Sequence, residues 1–250
     1  MRQVPLLNYL VIGDGRVARH MQHYLGLLGL SCSQWSRRTS TRESLEACLL
    51  QATHVLVLIR DDAIVEWVNT HHDLNPKAVW IHASAVVQSS LALFAHPLQS
   101  FSETFYDLAT YQRIPFFIDE RACAWDAFLP GLSNTHYVLP ESKRTLYHAY
   151  LVLANNVTTC LWQHVFRQMK QHFNVESESL HLFLSTTLNN LKNNWETALT
   201  GPIDRRDYET CALDVAALSD DAYQPVLEGV IQASFTEEEY HEYTRLREKA

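Results

Sequence analysis

The chain has 250 residues, of which 47% are hydrophobic and 19% charged, a composition that favours a folded globular protein over a disordered one. Its formal net charge of −8 disfavours nonspecific binding to nucleic acid, whose phosphates would repel the protein. The apolar runs are too short to span a membrane, so we expect neither a nucleic-acid partner nor a membrane partner.

The first half of the sequence alternates predicted strands and helices. The run VPLLNYLVIG lacks a small-residue cleavage site and leads into a glycine turn, so residues 7–12 predict a buried strand rather than a signal segment. A helix follows over 16–28 and ends at Gly29. The other predicted strands are 30–36, 54–59, 78–84, 114–119 and 136–139, and the other predicted helices are 40–52, 63–72 and 121–129. This alternation predicts an α/β fold, with a doubly wound parallel sheet of the Rossmann type over residues 1–139.

After Pro140 the pattern is helical to the end, which predicts an all-helical second domain over residues 140–250. Residues 141–173 predict one long helix whose middle, 146–162, is apolar on nearly every face and is therefore expected to be buried on several sides. The further predicted helices are 178–199, 208–218 and 236–249, with a Gly- and Pro-containing loop over 200–207.

Capping residues mark several helix starts. Ser40 with Glu43 forms a predicted capping box, and Asp61 or Asp62 is expected to cap the next helix. Asp207 is well placed to cap the helix over 208–218. Thr236 precedes three glutamates in a helix with basic residues near its end, an order that suits the helix dipole.

The glycine turn at Gly13 and Gly15 has the pattern of a dinucleotide-binding motif. The first glycine permits the tight turn, the second lets the backbone approach a pyrophosphate, and Ala18 supplies the small third residue. The helix that starts at Arg16 and Val17 offers unpaired N–H groups to phosphates. The alternative is a purely structural turn.

The residues after the second strand indicate which dinucleotide would bind. NAD-binding proteins usually place an acidic residue there for the ribose hydroxyls, but no Asp or Glu occurs between Leu30 and Arg42. The sequence has Ser36, Arg37 and Arg38 instead, and these side chains suit a 2′-phosphate. We therefore expect NADP(H) rather than NAD(H), the alternative being a solvated basic loop.

Several motifs resemble a known family. In chain order they are VIGDGRVARH, LIRDDAI, WIHASA, HPLQSF (96–101), LYHAYLVLANN (146–156) and LTGPIDRRDYET (199–210). With these motifs the sequence resembles Rossmann-like oxidoreductases whose C-terminal half is classed as domain of unknown function 2520, relatives of ketopantoate reductase, pyrroline-carboxylate reductase and 6-phosphogluconate dehydrogenase. The resemblance implies a Rossmann domain followed by a helical dimerisation domain, with no substrate assigned.

The sequence departs from this family at two places. Ala83 and Ala85 flank Ser84 where the family has a His-Thr-Ser-Gly-like strand end. Arg206 stands where the family has the glycine of an Arg-Gly-Asp sequence. The added bulk and charge put any role carried over to that loop in doubt. On the residues alone, Arg205 and Asp207 fit either a surface ion pair at a helix start or a loop that closes on substrate.

Polar residues at the ends of predicted strands are candidates for ligand contacts, because ligands of open α/β sheets lie beyond the carboxyl ends of the strands. Ile59 and Arg60 would border the adenosine side or the ribose bridge of a dinucleotide, and His82 and Ser84 would lie nearer the nicotinamide. Packing alone would also explain Ile59, and polar strand ends occur without ligands.

Candidate catalytic residues lie on the long predicted helix. His148 and Asn155 are seven residues apart and share a helix face with Thr159. His148 would donate a proton and Asn155 would orient a small substrate in a cleft between the domains, with His96 as a rival acid. The resemblance supports this position, because related dehydrogenases carry a catalytic Lys or Asn on this helix. The alternative is that these side chains bond backbone groups in the core or at a dimer interface.

Cysteines and histidines predict no metal site. The five cysteines contain no CxxC pair and fit reduced thiols in a cytoplasmic protein: Cys32, Cys48, Cys123, Cys160 and Cys211. The 13 histidines form no ligand-spaced cluster, and the pairs His20 with His23 and His71 with His72 are expected at the surface.

Three functions fit these observations. The first is an NADP(H)-dependent reductase or dehydrogenase acting on a small carbonyl or imine substrate. The second is a nonenzymatic NADP(H)-binding protein with a sensor or assembly role, and the third is an interaction module whose cofactor site is inactive. In each case the apolar faces of the helical half predict a homodimer.

Overall fold

The computed structural model describes residues 6–248, so residues 1–5 of the predicted first domain and 249–250 of the second lie outside the described part. The chain divides into two compact units, here called the first unit, up to Leu161, and the second unit, from Trp162. The domain boundary predicted between residues 139 and 140 stays a prediction. The compact units themselves divide within a helix.

The first unit is built on a seven-stranded sheet with the order β2-β1-β3-β4-β5-β6-β7. The strands are β1 Tyr9–Ile12, β2 Cys32–Trp35, β3 His54–Val57, β4 Val79–His82, β5 Leu93–Pro97, β6 Phe116–Asp119 and β7 His136–Leu139. The helices are α1 Arg16–Leu27, α2 Arg42–Gln51, α3 Asp61–His71, α4 Leu108–Gln112, α5 Trp125–Phe128 and α6 Arg144–Leu151. The pairs from β2 to β5 are parallel, as is β6 with β7.

The sheet confirms the predicted α/β class and corrects it in one place. β5 and β6 pair antiparallel, so the doubly wound sheet is mostly rather than wholly parallel. β5 and α4 were not predicted, because residues 93–97 form a short run inside a region rich in turn residues. Its Phe94 and Ala95 point to opposite faces of the sheet and are both buried.

Two apolar layers cover the faces of the sheet, which explains why its central strands read as continuous apolar runs. Val11, Leu56 and Ile81 pack on the layer formed with α1, whereas Leu10 and Val55 pack on the layer formed with α2 and α3. β1 and β3 are fully buried as a result. This rigid centre fixes where the carboxyl ends of the strands lie.

Helix termini confirm some predicted caps and correct others. Gly29, at φ 68°, follows α1, and the N–H of the next residue donates to Leu25, as in a Schellman motif. The cap of α2 is Thr41 rather than Ser40, since the Thr41 hydroxyl accepts from the Ser44 N–H. α3 starts after Arg60 without a side-chain cap, and both predicted aspartates lie in its first turn, where they suit the helix dipole.

The segment predicted as one helix over 141–173 contains a π-helical stretch. α6 runs into residues Val152–Val157 with π geometry, which continue into α7, Thr158–Phe173. The expected burial of this segment is wrong for the single chain, which leaves an apolar row exposed along it. The row, here called the apolar stripe, consists of Leu146, Tyr150, Leu153, Val157 and Leu161.

The second unit is helical, as predicted. Its further helices are α8 His181–Asn193, α9 Pro202–Arg205, α10 Tyr208–Ala217, α11 Gln224–Ser234 and α12 Glu237–Arg247. Val215, Ile231 and Tyr243 belong to its small core. α11 was not predicted. The predicted caps are confirmed: Asp207 accepts from Thr210, and Thr236 forms a complete capping box with Glu239. No helix within residues 6–248 is long and apolar enough to cross a bilayer.

Arg206 occupies a backbone position that favours glycine. Its φ of 58° is left-handed, which explains why a glycine is expected here from the family pattern. The side chain compensates through three contacts. Nε donates to Glu239 at 2.9 Å, Nη1 donates to the Ile203 carbonyl at 2.8 Å, and the guanidinium lies 5.3 Å from the centre of the Phe235 ring. In this chain the loop residue is therefore held by its own second unit.

Candidate functional site

The strand register brings the segments that carry the predicted cofactor contacts to one edge of the sheet. Ile12, Trp35, Val57, His82 and Phe94 are paired in one row across five strands. The glycine turn, the basic loop and the segment after β3 follow directly on the first three of these residues. This is the edge at which ligands of open α/β folds bind.

The glycine turn has no room for a side chain at its first position. Gly13 has a φ of 117°, and a Cβ there would lie 2.3 Å from the carbonyl oxygen of Leu58. Its N–H donates to the Trp35 carbonyl at 2.9 Å. Gly15 precedes α1, and no side chain caps this helix. The backbone N–H groups of its first turn, which begins at Arg16, are therefore available to a ligand above the glycine turn.

The basic loop after β2 reaches the glycine turn. Nε of Arg38 donates to Oδ2 of Asp14 at 2.6 Å, and this bond, with a further one from Ser36, holds the pKa of the Asp14 carboxyl below its usual range. Ser36 is buried, whereas Arg37 and Arg38 are exposed. The loop and the turn, 24 residues apart, therefore form one positively charged corner.

The residues after β3 contribute differently. Ile59 is half-buried, packs on the sheet and lies against the space above Gly13. Arg60 is exposed, and its guanidinium makes a two-pronged contact with Asp62 at 3.1 and 2.6 Å. Val17, the second residue of α1, is half-buried and packs on the apolar layer beside α1. Ile59 and Val17 thus shape the floor of the turn.

His82 and Ser84, at the end of β4, are both buried. Burial, with the nearby charge of Arg144, lowers the pKa of His82 to about 4, so its ring is neutral at pH 7. Neither ring nitrogen has a hydrogen-bond partner among the described residues. The Ser84 hydroxyl accepts from the Val87 N–H at 3.3 Å, which gives it a structural contact.

His96 and His148 are brought together by a residue that sequence reasoning missed. Nδ1 of His96, on β5, lies 2.9 Å from the hydroxyl of Tyr147, on α6. Burial, followed by the charge of the neighbouring His148, lowers the pKa of His96 to about 4. Burial also raises the pKa of Tyr147, which therefore stays protonated. Tyr147 directly precedes His148, the predicted acid, and this adjacency was the one signal in the sequence that could have identified Tyr147 as a site residue.

Asn155 is not brought into this cluster by any contact in the described chain. It lies in the π-helical stretch and is exposed, and the Thr159 hydroxyl donates to its backbone carbonyl at 2.7 Å. The wider π turn changes the angular spacing between Asn155 and His148, so the simple two-turn periodicity does not hold. Its role in orienting a substrate stays a prediction.

A buried ion pair near β4 and β5 was also missed. Oδ2 of Asp119, the last residue of β6, lies 2.7 Å from Nη2 of Arg144, the first residue of α6, and both side chains are buried. Arg121, which is partly exposed, donates to the same carboxylate. An acidic residue at the end of the apolar run IPFFID was the only signal for this pair in the sequence.

The HPLQSF segment has a structural role around His20. His20, expected at the surface, is buried, with Nδ1 2.7 Å from the Tyr111 hydroxyl and Nε2 2.9 Å from the Ser102 carbonyl. Phe101 packs against its ring at 4.7 Å. The expectation that His20 lies at the surface was wrong, because the sequence pattern of α1 does not show that the loop after β5 covers this side chain. Within residues 6–248, no three His, Cys, Asp or Glu side chains are grouped to hold a metal ion.

Comparisons with solved structures agree with this architecture. The chain is similar to a candidate NADP oxidoreductase from Bacteroides fragilis, with a TM-score of 0.72 and 21% identity over 92% of this chain and 98% of that chain. It is similar to a protein from Thermotoga maritima, with a TM-score of 0.67 and 20% identity over 96% and 98% of the two chains. A reductive aminase from Aspergillus terreus, in complex with NADPH and ethyl-5-oxohexanoate, gives 0.65 and 13% over 92% and 93%.

At these identities the likeness establishes the fold alone, and it confirms the predicted Rossmann-type sheet followed by helices. No curated protein matches the sequence. Residues 118–230 match the family model described as Domain of unknown function (DUF2520). This stretch runs from β6 to α11 and contains the Tyr147–His148 pair and Arg206. The match of residues 118–230 to this family model confirms the family resemblance of the sequence motifs.

Proposed function

We propose that the protein is an NADP(H)-dependent oxidoreductase that acts on a small carbonyl or imine substrate. The observation that carries the proposal is the corner at which Arg38 meets the glycine turn through Asp14. A turn with no space for a side chain at Gly13, followed by an uncapped helix start, suits a pyrophosphate. The names of the similar solved structures, which include NADP and NADPH, support the same cofactor.

The residues of the corner fit the 2′-phosphate of NADP(H). Arg37 and Arg38 are exposed and could form two-pronged contacts with a phosphate, and the Ser36 hydroxyl is close to Asp14. No acidic residue follows β2 within the loop to compete for ribose hydroxyls, as the sequence already indicates. The 2′-phosphate would either share the Arg38 guanidinium with the Asp14 carboxylate or take the place of that carboxylate.

The cofactor would supply a hydride, and the chain's own residues would supply the proton and the orientation. His148, Tyr147 and His96 form a group of proton-carrying side chains in the first unit. We assign the half-buried His148 as the donor, because it lies next to Tyr147 in the sequence and close enough to His96 to lower the pKa of His96, with Asn155 orienting the substrate. Substrate binding in a cleft between domains stays a prediction, as does a cytoplasmic location.

The cofactor preference is the first test. Replacing Arg37 and Arg38 together by Ala is expected to weaken NADPH binding by about 10- to 100-fold, because two charge-assisted hydrogen bonds to the 2′-phosphate are lost. NADH affinity is expected to stay unchanged, since NADH has no 2′-phosphate. Quenching of the six tryptophans by each cofactor measures both affinities.

Arg113→Ala serves as the matched control, because Arg113 is an exposed arginine away from the glycine turn. Equal affinity of the unaltered protein for NADPH and NADH would refute the assignment. NADPH consumption against a panel of keto and imino acids then separates an enzyme from the nonenzymatic NADP(H)-binding alternative. Binding without turnover of any member would favour that alternative.

The apolar stripe supports a homodimer. It runs along α6, the π-helical stretch and the start of α7, and the neighbouring edge strand β7 exposes Tyr137 and Val138 as well. Monomeric proteins seldom expose a contiguous apolar surface of this kind, and a two-fold dimer is the commonest way to cover one. The proposed partner is a second copy of the chain.

Leu153→Asp, in the middle of the apolar stripe, is expected to convert the dimer into a monomer, because a charge would be buried in the interface. Leu50→Asp changes an equally exposed leucine on α2 and should leave the dimer intact. Light scattering of the eluting protein gives the mass in each case. A monomeric unaltered chain at micromolar concentration would contradict the proposal.

A further inference from the structure

A buried guanidinium in the first unit lacks hydrogen-bond acceptors. Arg144 is 2% exposed, and its Nη2 lies 2.7 Å from Oδ2 of Asp119 without an N–H bond that points along this contact. Its Nε and Nη1 have no partner among the described residues either. Buried charged donors are normally paired, because an unpaired one loses its hydration without compensation. Something outside the described side chains is expected to accept from Arg144.

The second unpartnered group in the same environment is His82. Its side chain is fully buried, and neither ring nitrogen has a partner within the described chain. The Phe94 ring borders both groups: the guanidinium carbon of Arg144 lies 4.6 Å from its centre and the His82 ring centre lies 6.3 Å from it. The Phe94 ring is therefore a common neighbour of the two buried polar groups.

Asp119 cannot supply the missing acceptor. Its Oδ1 accepts from the backbone N–H and Nε of Arg121, and its Oδ2 accepts from Nη2 of Arg121 and the N–H of Phe94. These four bonds use the acceptor capacity of a carboxylate. The positive charge of Arg144 thus helps to balance the negative charge of Asp119, while the N–H groups of Arg144 remain available to donate to another acceptor.

The missing hydrogen-bond acceptor favours an anion over a water molecule. Arg121 and Arg144 both lie against the Asp119 carboxylate, and the donors of Arg144 that have no partner among the described residues still need an acceptor. A water molecule would bring two protons that need acceptors, and the unprotonated ring nitrogen of the neutral His82 could accept one of them. An anion brings no protons and accepts several hydrogen bonds.

We propose that Arg144 and His82 form a binding site for a small monovalent anionic group, either a free ion such as chloride or the carboxylate of a bound substrate. His82 ends β4 and is paired in register with Phe94, so the site lies at the sheet edge where ligands of this fold bind. Only the substrate source rests on the proposed function, whereas binding of a free ion is independent of it.

Anomalous diffraction from crystals of the full chain grown in bromide locates the ion directly. A bromide peak within hydrogen-bond distance of the Arg144 guanidinium and the His82 ring is expected. A water molecule at that position without an anomalous signal, or no density there at all, would overturn the proposal.

Thermal unfolding tests the site in solution. Sodium bromide, compared with sodium gluconate at equal ionic strength, is expected to raise Tm by about 3–5 °C for each tenfold increase above its Kd. Formate should act like bromide. If pyruvate does so too, the site accepts the carboxylate of a larger molecule, whereas a response limited to bromide and formate assigns it to a free ion. The absence of any anion-specific rise would contradict the site.

The variant His82→Phe keeps the Asp119–Arg144 pair and removes one donor, so it is expected to reduce the bromide-dependent rise. His181→Phe, an exposed histidine in the second unit, should leave the rise unchanged. An equal rise in His82→Phe and the unaltered protein would place the ion elsewhere and overturn the assignment. None of these measurements needs NADPH or turnover, so failure of the site and failure of the oxidoreductase proposal are distinguishable.

Discussion

Replacing His148 by Gln is expected to lower turnover by about 10²–10⁴-fold while NADPH affinity is unchanged. Glutamine keeps the size and hydrogen-bonding capacity of the side chain and removes the proton that must reach the developing alkoxide or amine. His148 is half-buried on α6, beside Tyr147, and near enough to His96 to influence its pKa. Steady-state kinetics with the substrate from the keto and imino acid panel, together with tryptophan quenching by NADPH, separates the two effects.

The neighbours of His148 provide the comparison. His96→Gln should have the smaller effect, because burial keeps His96 neutral at pH 7 and it carries no second proton to give. Tyr147→Phe removes the 2.9 Å contact to His96 and shows whether that contact positions the cluster. If turnover survives in His148→Gln but is lost in His96→Gln or Tyr147→Phe, the proton travels through the His96–Tyr147 pair and the assignment of His148 is wrong.

Asp119→Asn is expected to destabilise the first unit by about 3–5 kcal/mol, since it leaves the buried Arg144 guanidinium without a compensating charge. Hydrogen exchange of the β6 amides in increasing urea reports the free energy of opening of this unit alone. Asp62→Asn makes the same chemical change in the exposed pair with Arg60, where the expected loss is about 0–1 kcal/mol. Equal losses in the two variants would show that the buried pair contributes no more than a surface pair.

The pH dependence of stability gives an independent check on Asp119. Burial by itself raises the pKa of this carboxyl, but hydrogen bonds from Arg121 and from backbone N–H groups, together with the adjacent Arg144 guanidinium, outweigh burial and hold the pKa well below its usual range. The stabilisation is therefore complete above the unfolded pKa of about 3.9 and is lost as the pH falls towards the folded pKa. Asp119→Asn should lose this acid-dependent part of the stability curve, whereas Asp62→Asn should retain it.

The predictions that succeeded depend on interactions within a few residues of the chain. The apolar runs of β1 and β3, the glycine turn and the caps Asp207 and Thr236 are all specified by neighbours in sequence, so their patterns can be read directly. The absence of an acidic residue after β2 is likewise a property of the sequence alone. At the start of α2, Ser40 and Thr41 are both suitable capping residues. The helix was predicted correctly there, but the cap is Thr41 rather than Ser40.

Contacts between distant segments required the tertiary structure. His96 and Tyr147 are 51 residues apart, and Asp119 meets Arg144 only because the ends of β6 and α6 come together. Burial likewise depends on which segment covers a residue, so His20 proved to be buried under the loop that follows β5. The sequence by itself determined the order of the helices and strands and the glycine turn, because local periodicity and backbone geometry specify them. The tertiary structure decided which polar groups are buried, paired or left without an acceptor, because desolvation and ion pairing depend on the packing of the whole unit.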